Sequence, residues 1–306
     1  MIPNEQLVVM LIRVGDEAEL TRMLGELPVV SATLRERISL PDPSKHSIGH
    51  GMTLLQFASI RARGEGDAAR VLLHHGAELD LHSASGLGYL EKISELVEAD
   101  PNLLESEIDS YLPLQFAITA NQPGVIRHLC SLGADANRSI TKVAYFSWED
   151  AISRRGTTSW RLIHMAALWC FSEARVPVMN ALLEAGADAN CVSPLDGFRP
   201  LHLLAMGNRV EGMRFLVRRG VSVDSRSEKT AAIETGDRCP ISSFGCTPLM
   251  VAAAEGFLEA TTCLLDLGAD PSLACDAGRT ALDYAKRAFW EDRPYEAIVE
   301  LLEHTA

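Results

Sequence analysis

Between Gly245 and Ser272 (GCTPLMVAAAEGFLEATTCLLDLGADPS) the apolar positions fall into two short blocks separated by a polar break. Leu249 to Ala254 is an apolar run of mostly small side chains, as a helix packed tightly on neighbours requires. Thr247-Pro248 precedes it, with threonine placed to cap and proline at a first-turn position where no hydrogen bond is forfeited. Glu255-Gly256 ends the run. Leu258 to Leu267 then sets Cys263, Leu264 and Leu267 on one face, which predicts a second helix. Gly268 closes that helix in the position that favours a left-handed backbone, and Ala269-Asp270 leads into a turn. Two helices this short are marginal alone in water, so the unit needs copies of itself on either side.

The copies are present. Thr280-Ala281-Leu282-Asp283-Tyr284-Ala285 repeats the first block 33 residues after Thr247. Earlier in the chain, Thr53 to Ala58 leads to Gly76-Ala77-Glu78, and Leu79 to Ala84 leads to Asp100-Pro101 without the glycine. Leu112 to Ala117 leads to Gly133-Ala134-Asp135-Ala136-Asn137, and Arg161 to Ala166 leads to Gly186-Ala187-Asp188-Ala189-Asn190. Arg199-Pro200-Leu201-His202 leads to Gly220. This period, with T-P-L-H-x-A at the first helix, resembles the ankyrin repeat over most of the chain. The resemblance implies an all-α ankyrin-repeat solenoid of stacked helix-turn-helix units with finger loops, about seven units counting both caps.

On that reading residues 1–306 are a single domain. Residues 1–27 form a degenerate N-terminal cap repeat with helices over Leu7–Val14 and Glu19–Leu24, and 28–50 form a connection with a turn at Pro41–Ser44 and a short helix around Leu34–Ile38. Residues 51–275 carry the repeats, and 276–306 form a C-terminal cap whose helix Tyr295–His304 turns Ile298, Leu301 and Leu302 inward. Insertions at 138–156 and 225–243 interrupt the register between one unit's ending and the next first helix. In the family this is where fingers project beside the concave groove. The first insertion holds Tyr145, Phe146 and Trp148 and reads as ordered, whereas Ser225 to Ser243 is polar and expected to be mobile. Four extra residues near Ser172–Val176 are expected in the turn between two helices.

Charge and composition narrow the partners. Among 306 residues the net charge is −13, with no basic run longer than a pair such as Arg218-Arg219, which argues against nucleic acid and against an anionic membrane surface. No segment approaches the roughly 18 consecutive apolar residues of a membrane span. The first residues lack a basic leader and a small-residue cleavage site. Seven cysteines are scattered without metal or disulfide spacing, and Cys130 and Cys263 fall within second helices as buried thiols. A cytoplasmic monomer is expected.

The candidate chemistry is sparse. His46 and His50 are four apart, a metal-like spacing on a helix, but Pro43, Ser44 and Gly49 argue for a loop. His82, His164 and His202 recur at the T-P-L-H position, where the resemblance implies an imidazole bonded to the neighbouring finger's backbone. Cys239 and Cys246 flank a proline-containing loop, where a lone disulfide is disfavoured in a reducing compartment. No Walker-type loop and no G-x-S-x-G is present. The expectation is no enzyme, no cofactor and no metal.

What remains is a surface for another protein. The resemblance implies contacts from the finger residue before the motif and from the end of the first helix. Carried over, these are Tyr111, Trp160 and Phe198 on fingers, and Leu168, Trp169 and Met206 at helix ends, all offered to the concave groove of the middle repeats. Aromatic and methionine side chains are enriched at such contacts. An alternative is that Tyr145, Phe146 and Trp148 fold back and bury Trp160 and Trp169. The function expected is a non-catalytic protein-protein interaction scaffold. Its rivals are a secreted effector using the same groove on a foreign cell's proteins, and a small-molecule or metal site built on the inserted loops.

Overall fold

The computed structural model describes residues 17–26, 51–61, 67–108, 110–140, 160–169, 172–194, 197–228, 244–287 and 290–305. These fall into two compact units. One takes the described residues up to Ala136 together with Asn180–Ala185, and the other those from Asn137 to Met179 and from Gly186 onward.

The first unit contains α1 (Glu17–Glu26), α2 (Leu54–Arg61), α3 (Asp67–His74), α4 (Leu81–Leu87), α5 (Leu90–Ala99), a 3-10 turn (Pro101–Glu105), α6 (Pro113–Thr119) and α7 (Pro123–Ser131). Helices α2, α4 and α6 pack in series as an inner row, backed by α3, α5 and α7, and α1 packs on α3. In the second unit a two-residue ribbon pairs β1 (Ser139–Ile140) antiparallel with β2 (Trp160–Arg161), Ile140 opposite Trp160. It continues with α8 (Leu162–Trp169), α9 (Ser172–Glu184, of which the residues from Asn180 are counted with the first unit), α10 (Pro200–Met206), α11 (Val210–Arg218), α12 (Pro248–Glu255), α13 (Leu258–Asp266), α14 (Ala281–Ala285) and α15 (Tyr295–Thr305). The inner row is α8, α10, α12 and α14, and α11, α13 and α15 pack in series behind it.

The expected helix signals operate as read. Thr247 and Thr280 accept at their hydroxyls from the Met250 and Asp283 amides, which satisfies one otherwise orphan donor at each helix start. Among the described residues, four breaks between paired helices pass through a left-handed residue, Gly88, Asn121, Asn208 and Gly256. The inner helices are buried almost all round, Pro248 to Ala254 completely, and this explains their small side chains. A Cβ at Gly212 of α11 would lie 2.6 Å from Leu204 Cδ2, so close packing between rows excludes a larger residue there.

Four expectations are corrected. The extra residues at Ser172–Val176 extend α9 by a turn at its start instead of forming a loop, because Ser-Glu-Ala-Arg favours a helix start and Pro177 removes only one helical donor. Ser225 to Glu228 is not part of a loose loop but is bonded into the fingers, as described below. Leu301 is only half-buried while Ile298 and Leu302 are buried, and Cys130 is likewise half-buried while Cys263 is buried. The helices expected at 7–14 and 34–38, the turn at 41–44, His46, His50, Tyr145, Phe146, Trp148, Cys239 and the side chain of Trp169 lie outside the described residues.

Candidate protein interface

The third residue of the inner helices other than α4 turns toward its own cap, and its chemistry sets what the fingers can offer a partner. Its side chain turns back to accept from the amide of the capping residue. Arg161 N donates to His164 Nδ1 at 3.2 Å and Arg199 N to His202 Nδ1 at 3.3 Å. Thr53 N and Leu112 N donate to the side-chain oxygens of Gln56 and Gln115 at 2.8 and 2.9 Å, and Thr280 N to the Asp283 carboxylate at 2.8 Å. With Nδ1 accepting, the imidazole proton resides on Nε2. That proton goes to the next finger, His164 Nε2 donating to Cys191 O at 3.2 Å and His202 Nε2 to Cys246 O at 2.9 Å. His82 Nε2 reaches Ser106 O and Tyr111 O at 3.1 and 3.0 Å, although Asp80 caps α4 so that His82 is its second residue. The recurring histidines therefore tie repeats together.

Burial pushes His164 and His202 down to about 4. A charged imidazole would have to lose its water and surrender the Nδ1 acceptor, so both rings are neutral at physiological pH. Cys191 Sγ lies 3.7 Å from His164 Nε2, a distance that invites a nucleophile reading. Burial pushes that thiol up to about 12, so the pair is a neutral thiol beside a neutral ring, the reverse of an activated couple.

Three predicted contact residues are placed differently from expectation. Tyr111, Trp160 and Phe198 were expected to face solvent, yet only 6%, 2% and 7% of each is exposed. The reason is a ring beneath each, a histidine for Trp160 and Phe198 and Phe116 for Tyr111. Phe198 stacks flat on His202 at 5.4 Å, Trp160 lies tilted over His164 at 6.0 Å, and Tyr111 meets Phe116 edge-on at 6.5 Å. Each finger ring thus covers its own repeat's helix start and keeps it dry. An apolar residue repeated at this position has the same sequence signature whether it faces a partner or covers a neighbour.

The fingers of the second unit are further joined through backbone. Ser227 N donates to Cys246 O at 2.8 Å, Glu228 N to Gly197 O at 2.9 Å, and Asp276 N to Phe244 O at 3.0 Å. Gly197, with φ +71°, must be glycine because a Cβ would lie 1.8 Å from Glu228 O. Arg199 pairs with Glu228, and Arg226 with Asp276 at 3.6 Å. These groups satisfy one another and present a rigid polar edge.

The helix ends differ. Leu168 and Met206 occupy equivalent positions at the ends of the packed helices α8 and α10, and both are half-buried, with area still open to water. In the next repeat Glu255 closes α12. It accepts from Trp290 Nε1 at 3.1 Å, and burial pushes its carboxyl up to about 7. Arg293, which lowers it weakly, stacks over Phe257 at 4.3 Å instead of pairing with it. In the sequence Glu255 only ends the apolar run, with no signal that Trp290, 35 residues further on, would reach it. Among the described residues no group of three or more His, Cys, Asp or Glu is placed to hold a metal, and no helix is long and apolar enough to cross a membrane.

An all-α stack of helical hairpins with bonded fingers is the ankyrin-repeat architecture, and comparison with known proteins agrees. Family models described as "Ankyrin repeats (many copies)" and "Ankyrin repeat" match residues 163–217 and 244–276. The chain is an ankyrin-repeat protein. It is 26% identical over 215 residues to the ankyrin repeat protein nuc-2 of Neurospora crassa, covering 69% of this chain and 16% of that protein. It is 24% identical over 227 residues to a putative palmitoyltransferase, ZDHHC13, of Danio rerio, covering 68% of this chain and 32% of that protein. The chain therefore spans less than a third of either relative's length. The crystal structure of the human ASB11 ankyrin repeat domain matches 81% of this chain and 96% of its own, at TM-score 0.51 and 20% identity, which supports the fold.

Proposed function

We propose that the protein is a non-catalytic interaction module that binds another protein through the inner-helix ends of its second unit. The observation that carries this reading is the pair Leu168 and Met206, large apolar side chains at one position in two adjacent repeats, each partly open to water. Repeated apolar groups at solvent-accessible positions are favoured where something covers them. Ankyrin repeats in general bind proteins. The net charge of −13 favours a protein over nucleic acid as the partner, and we read the chain as a cytoplasmic monomer. The transferase named for the fish relative is not carried to this chain, which matches about a third of it.

The test is affinity capture from native lysate, quantified by mass spectrometry, for wild type against Leu168→Ala plus Met206→Ala. The double variant is expected to weaken capture of any specific partner by about thirtyfold, the loss of roughly 2 kcal/mol at a contact centre. Phe198→Ala, a core change, should instead lower the thermal midpoint. Undiminished capture by the folded double variant would place the interface elsewhere.

A further inference from the structure

In the last two fingers two cysteines converge on one phenol. Cys246 Sγ lies 3.6 Å from Tyr284 Oη and Cys275 Sγ 3.5 Å from the same oxygen. Cys246 immediately precedes the cap of α12, and Cys275 belongs to the following finger. The two chain segments are already tied by the bond from Asp276 N to Phe244 O. Both cysteines are thiols, and neither forms a disulfide in this structure. We infer that Cys246 and Cys275 form a dithiol site that a peroxide converts to an intramolecular disulfide, fastening the last finger to the one before it.

The geometry supports the pairing in two ways. Sharing one oxygen neighbour confines the sulfurs to about 7 Å of each other or less, and the bond from Asp276 N to Phe244 O holds the two segments side by side, so that a local adjustment of the fingers brings the sulfurs to bond distance. The phenol also assists ionisation. A thiol can donate to or accept from Tyr284 Oη, but a thiolate has only lone pairs, so the phenol then donates and stabilises the anion. The burial of both cysteines makes the reaction depend on a local opening of the finger, which keeps it slow and selective.

Cys275, on the terminal finger, is the sulfur that an opening of that finger uncovers. Its thiolate attacks one peroxide oxygen. The O–O bond breaks and hydroxide leaves, becoming water with a proton from solvent, while Cys275 becomes a sulfenic acid. Cys246 Sγ then attacks the Cys275 sulfur, the S–O bond breaks, and the hydroxyl departs as water with the Cys246 proton. Overall two thiols and one peroxide yield one disulfide and two waters.

The experiment uses the full reduced chain, desalted and exposed to hydrogen peroxide without denaturant, then alkylated, digested and mapped by mass spectrometry. The expected product is a peptide pair linked through Cys246 and Cys275, two mass units lighter than the reduced pair, with unchanged helical circular dichroism. The thermal midpoint should rise by several degrees and return on reduction. Tyr284→Phe, which keeps the ring and removes the phenol, is expected to slow the linkage at least fivefold and shift its pH dependence upward. Two results would overturn the inference: oxidation that ends in sulfinic acid or in links to other cysteines, or a Cys246–Cys275 link that forms only in denaturant.

Discussion

Replacing His202 by glutamine should leave the protein as stable at pH 7 as it is now and make it markedly more resistant to acid. Glutamine already fills the corresponding place in two other repeats, where Gln56 and Gln115 accept from the capping amide as His202 does. Its amide nitrogen retains a donor for Cys246 O, so the change at neutral pH should stay within about 1 kcal/mol. What disappears is the titration. His202 is fully buried and held down to about 4 from an ordinary 6.5. In the unfolded chain it takes up a proton as pH falls through about 6.5, whereas the folded protein resists until about 4. Stability contributed by the neutral ring is therefore complete above the unfolded value and is lost as pH falls between the two. The loss integrates to about 3 kcal/mol at pH 4.

The whole protein's acid curve would not isolate this effect. His164, also held down to about 4, loses stability over the same range. Glu255 moves the other way: the folded protein protonates it near 7 and the unfolded chain near 4.5, so falling pH relieves its burial cost. Both contributions are common to wild type and His202→Gln and cancel in the difference. Urea unfolding followed by circular dichroism at pH 7.5, 6, 5 and 4 should show the two proteins together at the first pH and separating by about 3 kcal/mol at the last. Parallel loss in both would refute the reasoning, because it would mean that His202 does not remain neutral in the fold.

Two further outcomes are expected. Leu264→Ala, at a fully buried position of α13, should cost roughly 2–5 kcal/mol, and hydrogen exchange should show the loss concentrated in α12 to α15; uniform loss through the first unit would contradict a locally coupled stack. Replacing residues 229–243 with a short Gly-Ser turn should shift stability by less than roughly 1 kcal/mol, whereas extending the deletion through Arg226, Ser227 and Glu228 should cost measurably more in the same urea titration.

The repeat was legible because it is a local code. Thr247-Pro248 before a small apolar run, and Gly256 at the break that follows, dictate helix boundaries within a residue or two, and the observed α12 and α13 keep to them. His164 and His202 were legible for the same reason, since each lies three residues after its cap, whereas His82 lies two after Asp80. What the sequence left open depends on the other side of a contact. Tyr111, Trp160 and Phe198 have the composition of contact residues, but only the ring or helix start beneath each decides whether it is covered. Arg226, Ser227 and Glu228 read as polar loop because their partners, Asp276, Cys246 and Gly197, lie well removed along the chain. Polarity along a strand of sequence marks solvation or bonding equally well. The Ser172–Val176 segment was placed in a turn because extra length between two helices can lengthen either the turn or the helix, and here it adds helical residues ahead of Pro177.

The division of labour between fingers and helix ends follows from the same contacts. A finger residue such as Phe198 has its side chain engaged with its own repeat's histidine, while a finger carbonyl such as Cys246 O receives the proton of the preceding one. Little of either group remains for a partner, and removing the side chain would expose a ring held neutral by dryness. The side chains of Leu168 and Met206 at the helix ends are apolar and carry no such duty, although in the following repeat Glu255 and the Ala254 carbonyl accept from Trp290 and Tyr295. In the second unit that position changes from Leu168 to Met206 to Ala254, and its neighbour from Gly207 to Glu255, without altering how the helices pack in series. Positions that stay free of the inter-repeat bonds can change their chemistry without loosening the stack. Under the function proposed above, recognition is most readily varied there, where Leu168 and Met206 keep area open to water.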